Sequence, residues 1–154
     1  MINIVRVYSQ SCTERFPLPS AAQLEELEQR IGVRFPEDYR RYILALNGGC
    51  FSDAEITPMG EGCPLAHLDI MYGIGAPYPV AELGAIESIA LFDDNDPPQI
   101  VPIGRTALGH LIILDTAPGD GQGAVFLKQA FGEFYYLVDG IEAFFALLRE
   151  PTVT

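Results

Sequence analysis

LEELEQRIGVRFPEDYRRYILALNGG, residues 24–49, decides the class of fold. Leu24, Leu27 and Ile31 recur at helical spacing, while Glu25, Glu26, Gln29 and Arg30 fall on other faces. Ser20 and Gln23, preceded by Pro19, form a capping-box pair that starts this helix, and Gly32 tolerates the positive φ of a helix C-terminus. Pro36 suits the first position of a second helix, and Glu37 and Asp38 favour the positive end of its dipole. Tyr39, Tyr42, Ile43 and Leu46 then make one apolar stripe, which Asn47-Gly48-Gly49 ends with a turn.

Downstream the period changes from helical to alternating. Glu55 to Thr57 reads as a short strand, and Leu68 to Tyr72 alternates. Ile100 to Ile103 and Leu111 to Leu114 read as a strand pair joined through Gly104 to Gly109. Ala124 to Lys128 and Phe134 to Val138 read as another pair, entered through the turn Pro118-Gly119-Asp120-Gly121. Ala81 to Leu91 fits either helix or strand, and Gly60 to Leu91 carries no recognisable motif. Asp139 and Glu142 repeat the capping pattern before a final helix with Ile141, Phe144, Phe145 and Leu148 on its apolar face, stopped by Pro151.

The order is helix, helix, strands, helix. It predicts an α+β fold: a twisted, mostly antiparallel sheet with two N-terminal helices and one C-terminal helix packed against it. No linker divides the 154 residues, so one domain spans 1–154, with 1–18 expected to be less regular. The N-terminus lacks the basic and apolar regions of a signal peptide. The longest apolar runs fall far short of the ~20 residues that cross a bilayer. Cys12, Cys50 and Cys63 are too widely spaced for a zinc quartet and odd in number for a disulfide framework. Scattered thiols fit a cytoplasmic setting.

The formal net charge of −12 argues against nucleic acid and against anionic membrane, both of which select positive charge. Its distribution is uneven. No Lys or Arg lies between Arg41 and Arg105, a stretch that holds Asp53, Glu55, Glu61, Asp69, Glu82, Glu87, Asp93, Asp94 and Asp96. Gathered on one face, these carboxylates would steer a protein partner with a basic surface inward, and they are the candidate partner-binding residues. Solubility alone is the plainer explanation of an acidic chain.

Catalytic patterns are absent from the sequence. There is no G-x-S-x-G nucleophile elbow, and Gly119, Gly121 and Gly123 are not followed by the Lys-Ser/Thr of a phosphate loop. Asp93-Asp94-Asn95-Asp96 lacks the alternating ligands, glycine and distal glutamate of a calcium loop, and Pro97-Pro98 follows instead. His67 and His110 belong to no H-E-x-x-H helix. His110, after Gly109, reads as a turn or core residue before a general base. No catalytic residue, metal ligand or cofactor site is therefore assigned. Tyr135 and Tyr136 alternate faces on one strand, so one of them is expected at the surface, where Tyr commonly anchors interfaces.

The 24–49 block resembles the opening signature of the SUKH superfamily, the Smi/Knr cell-wall-regulator group: an acidic helix with a Leu-Glu pair, a Gly and a Pro, then an aromatic helix closing on Asn-Gly-Gly. VPIGRTALGHLIILD, residues 101–115, resembles the family's Pro-Ile-Gly strand pair, with His110 where many members have Asn. GAVFLKQ and FYYLVDGIEAFFALL resemble its closing strand and Phe-rich helix, so the likeness runs from about residue 20 to 148. For bacterial members the resemblance implies an immunity protein, not an enzyme, that binds and neutralises a toxin, often a nuclease or deaminase. For fungal members it implies a scaffold in cell-wall signalling, which is the second reading. A hydrolase using His110 with Asp115 is a third. A homodimer stays open.

Overall fold

A computed structural model describes residues 2–56, 66–84, 99–119, 121–129 and 133–149. The order is α1 (Ile2–Ser11), β1 (Cys12–Arg15), α2 (Ala21–Ile31), α3 (Glu37–Ala45), β2 (Gly49–Phe51), β3 (Glu55–Ile56) and β4 (Ala66–Met71). A 3-10 turn (Pro79–Ala81) precedes β5 (Ile100–Thr106), β6 (Leu111–Asp115), β7 (Val125–Lys128), β8 (Phe134–Val138), α4 (Ile141–Ala146) and β9 (Leu148–Arg149). Every pair of adjacent strands is antiparallel, in the order β1-β2-β4-β5-β6-β7-β8, with β3 pairing β4 and β9. The α+β class and the antiparallel sheet are as the periodicity predicts.

The two helices of the 24–49 block form as their caps dictate. Ser20 and Gln23 complete both bonds of the capping box, and Gly32 takes φ +75°. Leu24 and Leu27 are buried, and a Leu27 methyl closes on Gly84, where an added Cβ would lie 2.8 Å from it. Leu27→Ala is expected to cost about 2–5 kcal/mol, because the surrounding glycine and backbone cannot refill the space. Urea denaturation checks it: a loss of only a few tenths would mean that Leu27 does not hold the core. α2 is tied to α3 by Glu28, which accepts from the Phe35 amide at 2.8 Å and pairs with Arg40 at 3.2 Å.

Several details differ from expectation. Residues 2–15 are regular, not loose: Ile4, Val7, Tyr8 and Ser11 recur at i, i+3, i+4 and i+7 and are buried, so the segment folds as an amphipathic helix feeding an edge strand. It has neither an acidic first turn nor a basic last turn, the cues that mark helix ends in a sequence. Pro36 is the residue before α3 rather than its first. α4 is capped by Gly140 without a side-chain bond, because Asp139 accepts from the Tyr136 hydroxyl and Glu142 from the Asn3 amide. Leu148 belongs to β9, not to the final helix, although it is buried as expected. Gly104 lies inside β5 beside a bulge, where a Cβ would come within 2.7 Å of the Ile70 carbonyl oxygen. Of the ambiguous 81–91 segment, Ala81 closes the 3-10 turn, and 85–91 lie outside the described residues.

The core between helices and sheet is aromatic where α1, α3 and α4 meet. Tyr8 lies edge-on to Phe51 at 5.1 Å, and Tyr42 is 5.5 Å from Phe145. The Tyr8 and Tyr42 hydroxyls share a 2.7 Å hydrogen bond, and Tyr8 donates to the Gly48 carbonyl at 2.8 Å. Burial pushes the Tyr8, Tyr39 and Tyr42 phenols well above the ordinary range. Below about pH 10 these phenols stay protonated in folded and unfolded chains alike. Above it the unfolded chain releases protons that the fold retains, so stability is expected to fall as pH rises. Ultraviolet titration should show these tyrosines ionising only together with loss of tertiary structure; smooth ionisation without unfolding would refute this.

Candidate partner-binding face

The strand registers give the sheet two distinct faces. Met71, Gly104, Ile112 and Leu127 are cross-strand partners on the side turned to the helices. On the other side runs the row Glu14, Cys50, Ile70, Arg105, Leu111, Lys128 and Phe134, each directly opposite the next. A second row on that side is Pro102, Ile113, Phe126 and Tyr136. Leu111 and Ile113 are buried but stand apart from the helix-side core cluster. Toward β8 this face becomes aromatic: Phe126 meets Phe134 at 6.5 Å and Tyr136 at 5.7 Å, both edge-on. Lys128 is buried with its ammonium 5.1 Å from the Phe134 ring centre.

Toward β1 the same face is charged. A bulge in β4 sets Asp69 beside Ile70, and its carboxylate takes a 3.3 Å bond from Arg105 Nε. Glu55 on β3 stands between His67 on β4 and Arg149 on β9. Asp53 opens the loop into β3 with φ +57° and is exposed. Glu14 accepts from the Tyr78 hydroxyl at 2.8 Å, which holds that phenol above its usual range.

Glu82 is placed elsewhere. Its two oxygens accept from the Gly75 and Ala76 amides at 3.0 and 2.8 Å, and it lines a groove with Gln23, Glu26 and Arg30 of α2. The structure thus brings Asp53, Glu55 and Asp69 to one region and separates Glu82, whose carboxylate is spent on backbone. Glu61, Glu87, Asp93, Asp94 and Asp96 lie outside the described residues. Among the described residues no group of three or more His, Cys, Asp or Glu side chains is placed to hold a metal ion. No helix among them is long and apolar enough to cross a membrane. His110 donates its backbone N–H to Thr106 Oγ1 at 3.1 Å in the β5–β6 turn, a structural position.

The paired strands around Pro102, the aromatic α3 and the closing α4 occupy the positions that the sequence resemblance assigns them, and a family model describes the same span. The SMI1 / KNR4 family (SUKH-1) model matches residues 18–147. The chain belongs to the SMI1/KNR4 family. That match begins after β1, so α1 and β1 are added to the part of this SUKH-1 chain that the family model covers. A curated relative is the SPbeta prophage-derived uncharacterized protein YokK of Bacillus subtilis (strain 168), 27% identical over 160 residues, which cover 89% of this chain and 79% of YokK. No solved structure gives a significant match.

Sequence motifs point to the surface Tyr alone and not to the whole aromatic face of this SUKH-1 sheet. Its signal was present: Phe126-x-Lys128 and Phe134-x-Tyr136 alternate with period two, which places four long side chains on one side of adjacent strands. Tyr136 is 51% exposed and Tyr135 packs on the core, which settles which of the two faces outward.

Proposed function

We propose that this SUKH-1 chain is a non-enzymatic, cytoplasmic immunity protein that neutralises a cognate toxin domain of nuclease or deaminase type by covering its basic surface. Family membership carries the reading. Charge supports it: the chain is at −12 overall, with no Lys or Arg from 42 to 104. A toxin that handles nucleic acid bears Lys and Arg to grip phosphate, and an acidic surface competes for the same groups. Asp53 offers an exposed carboxylate without a hydrogen-bond or ion-pair partner among the described residues, whereas Asp69 and Glu82 are already engaged. We therefore place the steering charge on Asp53 more than on Asp69 or Glu82, and add Asp93, Asp94 and Asp96 from the sequence alone.

The test is the triple substitution Asp93→Lys, Asp94→Lys and Asp96→Lys, assayed against the product of the gene adjacent to its own. Association is expected to slow about tenfold or more at low salt, with a flatter salt dependence. An unchanged on-rate and salt slope would remove these three residues from the interface. Failure of the unmodified protein to bind that gene product would remove the immunity role.

A further inference from the structure

We propose that the free edge of β8 takes up an extended peptide segment of the partner, one with Lys or Arg on either side of a short apolar or β-branched run. The proposal rests on the binding role argued above and names the surface and the local chemistry of its partner.

β8 is the last strand of the sheet and pairs only with β7 among the described residues. Alternate residues of such a strand direct N–H and C=O groups away from the sheet, ready to pair with another chain. Edges are ordinarily blunted by charge, proline, bulging away or shortness. The opposite edge is blunted by charge and cover: β1 is four residues long, carries Glu14 and Arg15, and has Tyr78 bonded across to Glu14. β8 reads Phe-Tyr-Tyr-Leu-Val and is bulged at Leu137, but it has no charge and no proline, and its residue types favour extended pairing.

Charge complementarity selects the occupant. Exposed Glu133 and Asp139 stand immediately before and after the five residues of β8, and Asp139 is fixed there by the Tyr136 hydroxyl. A strand of seven residues with a cation at each end would meet a carboxylate at each end, in either direction. Its central side chains would lie against exposed Tyr136 and half-buried Phe134, the kind of aromatic neighbour that β-branched residues pair with well. A second copy of this chain fits poorly. Antiparallel pairing about Tyr136 would set Glu133 of each copy against Asp139 of the other, with like charges opposed at both ends.

The probe is the blocked peptide Lys-Thr-Val-Phe-Val-Thr-Lys, added to the full chain and followed by amide exchange and chemical shifts. Expected are saturable shifts and slowed exchange in residues 133–139, with β1 unaffected. A peptide ending in Glu at both termini should bind about tenfold more weakly or worse. Glu133→Lys with Asp139→Lys should reverse that preference; Glu133→Lys alone, on an exposed side chain, should narrow it if the double variant does not fold. Three results would overturn the proposal: no effect on β8 at millimolar peptide, equal binding of both peptides, or peptide-free protein that sediments as a dimer with β8 already protected. Peptide capture by β8 alongside unaltered toxin association of the Asp93, Asp94 and Asp96 variant would keep the edge and remove those three carboxylates. Loss of β8 capture with slowed association would do the reverse.

Discussion

Gly48→Ala is expected to leave little folded protein, with a stability loss above about 4 kcal/mol. Gly48 sits at φ +78°, and a Cβ built there lies 2.3 Å from the Met71 carbonyl oxygen and 2.7 Å from that of Tyr72. Left-handed backbone alone costs an alanine about 1–2 kcal/mol. The clash is with backbone, which yields only if β2 separates from β4 at the Gly49–Met71 pair. Gly32→Ala is the control: φ is +75°, nothing lies within 4 Å, and only the conformational cost should appear. Denaturant unfolding of the two variants separates these terms. Equal losses would show that the close approach at Gly48 is unimportant.

Asn47→Leu should be nearly as damaging, at about 3–6 kcal/mol. Asn47 is fully buried, and its amide nitrogen donates to the Pro17 and Ile74 carbonyls at 2.6 and 2.8 Å while its oxygen accepts from the Ile74 amide at 2.8 Å. One side chain therefore joins the segment entering α2, the end of α3 and the segment leaving β4. An apolar replacement strands three backbone groups away from water, each worth about 1–3 kcal/mol. Asn47→Asp retains the acceptor but turns a carboxylate toward two carbonyl oxygens. Its ionised form is disfavoured in the fold, so its defect should ease as pH falls and the acid becomes a donor. Urea titrations at neutral and mildly acidic pH read both variants; a loss below about 1 kcal/mol for Asn47→Leu would mean that water replaces the lost bonds.

These two residues show what a sequence yields and what it withholds. Asn47-Gly48-Gly49 is legible as a stop after an apolar stripe, because the residue types that end helices are known from local geometry. That the stop is also a joint is not legible: the carbonyl that excludes a methyl at Gly48 belongs to Met71, and Asn47 bonds across 27 and 30 residues. α2, with its complete capping box and Gly32, is readable to within a residue, whereas the final helix takes neither the cap nor the end that its sequence suggests. α1 was not, since its apolar face carries no end signals, and β1, β2 and β9 are two to four residues long, too short for alternation to register. The acidic stretch was legible as composition, but alternation cannot say that Asp69 would meet Arg105 across a bulge or that Glu82 would turn to cap its own loop. The aromatic side of β7 and β8 needed the register, which long-range pairing alone sets.

α1 docks against α4, and its polar contacts reach across nearly the whole chain: the Asn3 amide to Glu142, and Arg6 to the Phe145 and Leu148 carbonyls. On the ribosome, α1 emerges with its apolar stripe and waits while some 139–142 further residues are added, about ten seconds at ordinary elongation rates. The seat of α1 on α4 is thus completed late, whereas its Tyr8–Tyr42 contact spans only 34 residues of sequence. Until α4 is made, the apolar stripe of α1 lacks one of the surfaces that cover it in the finished fold.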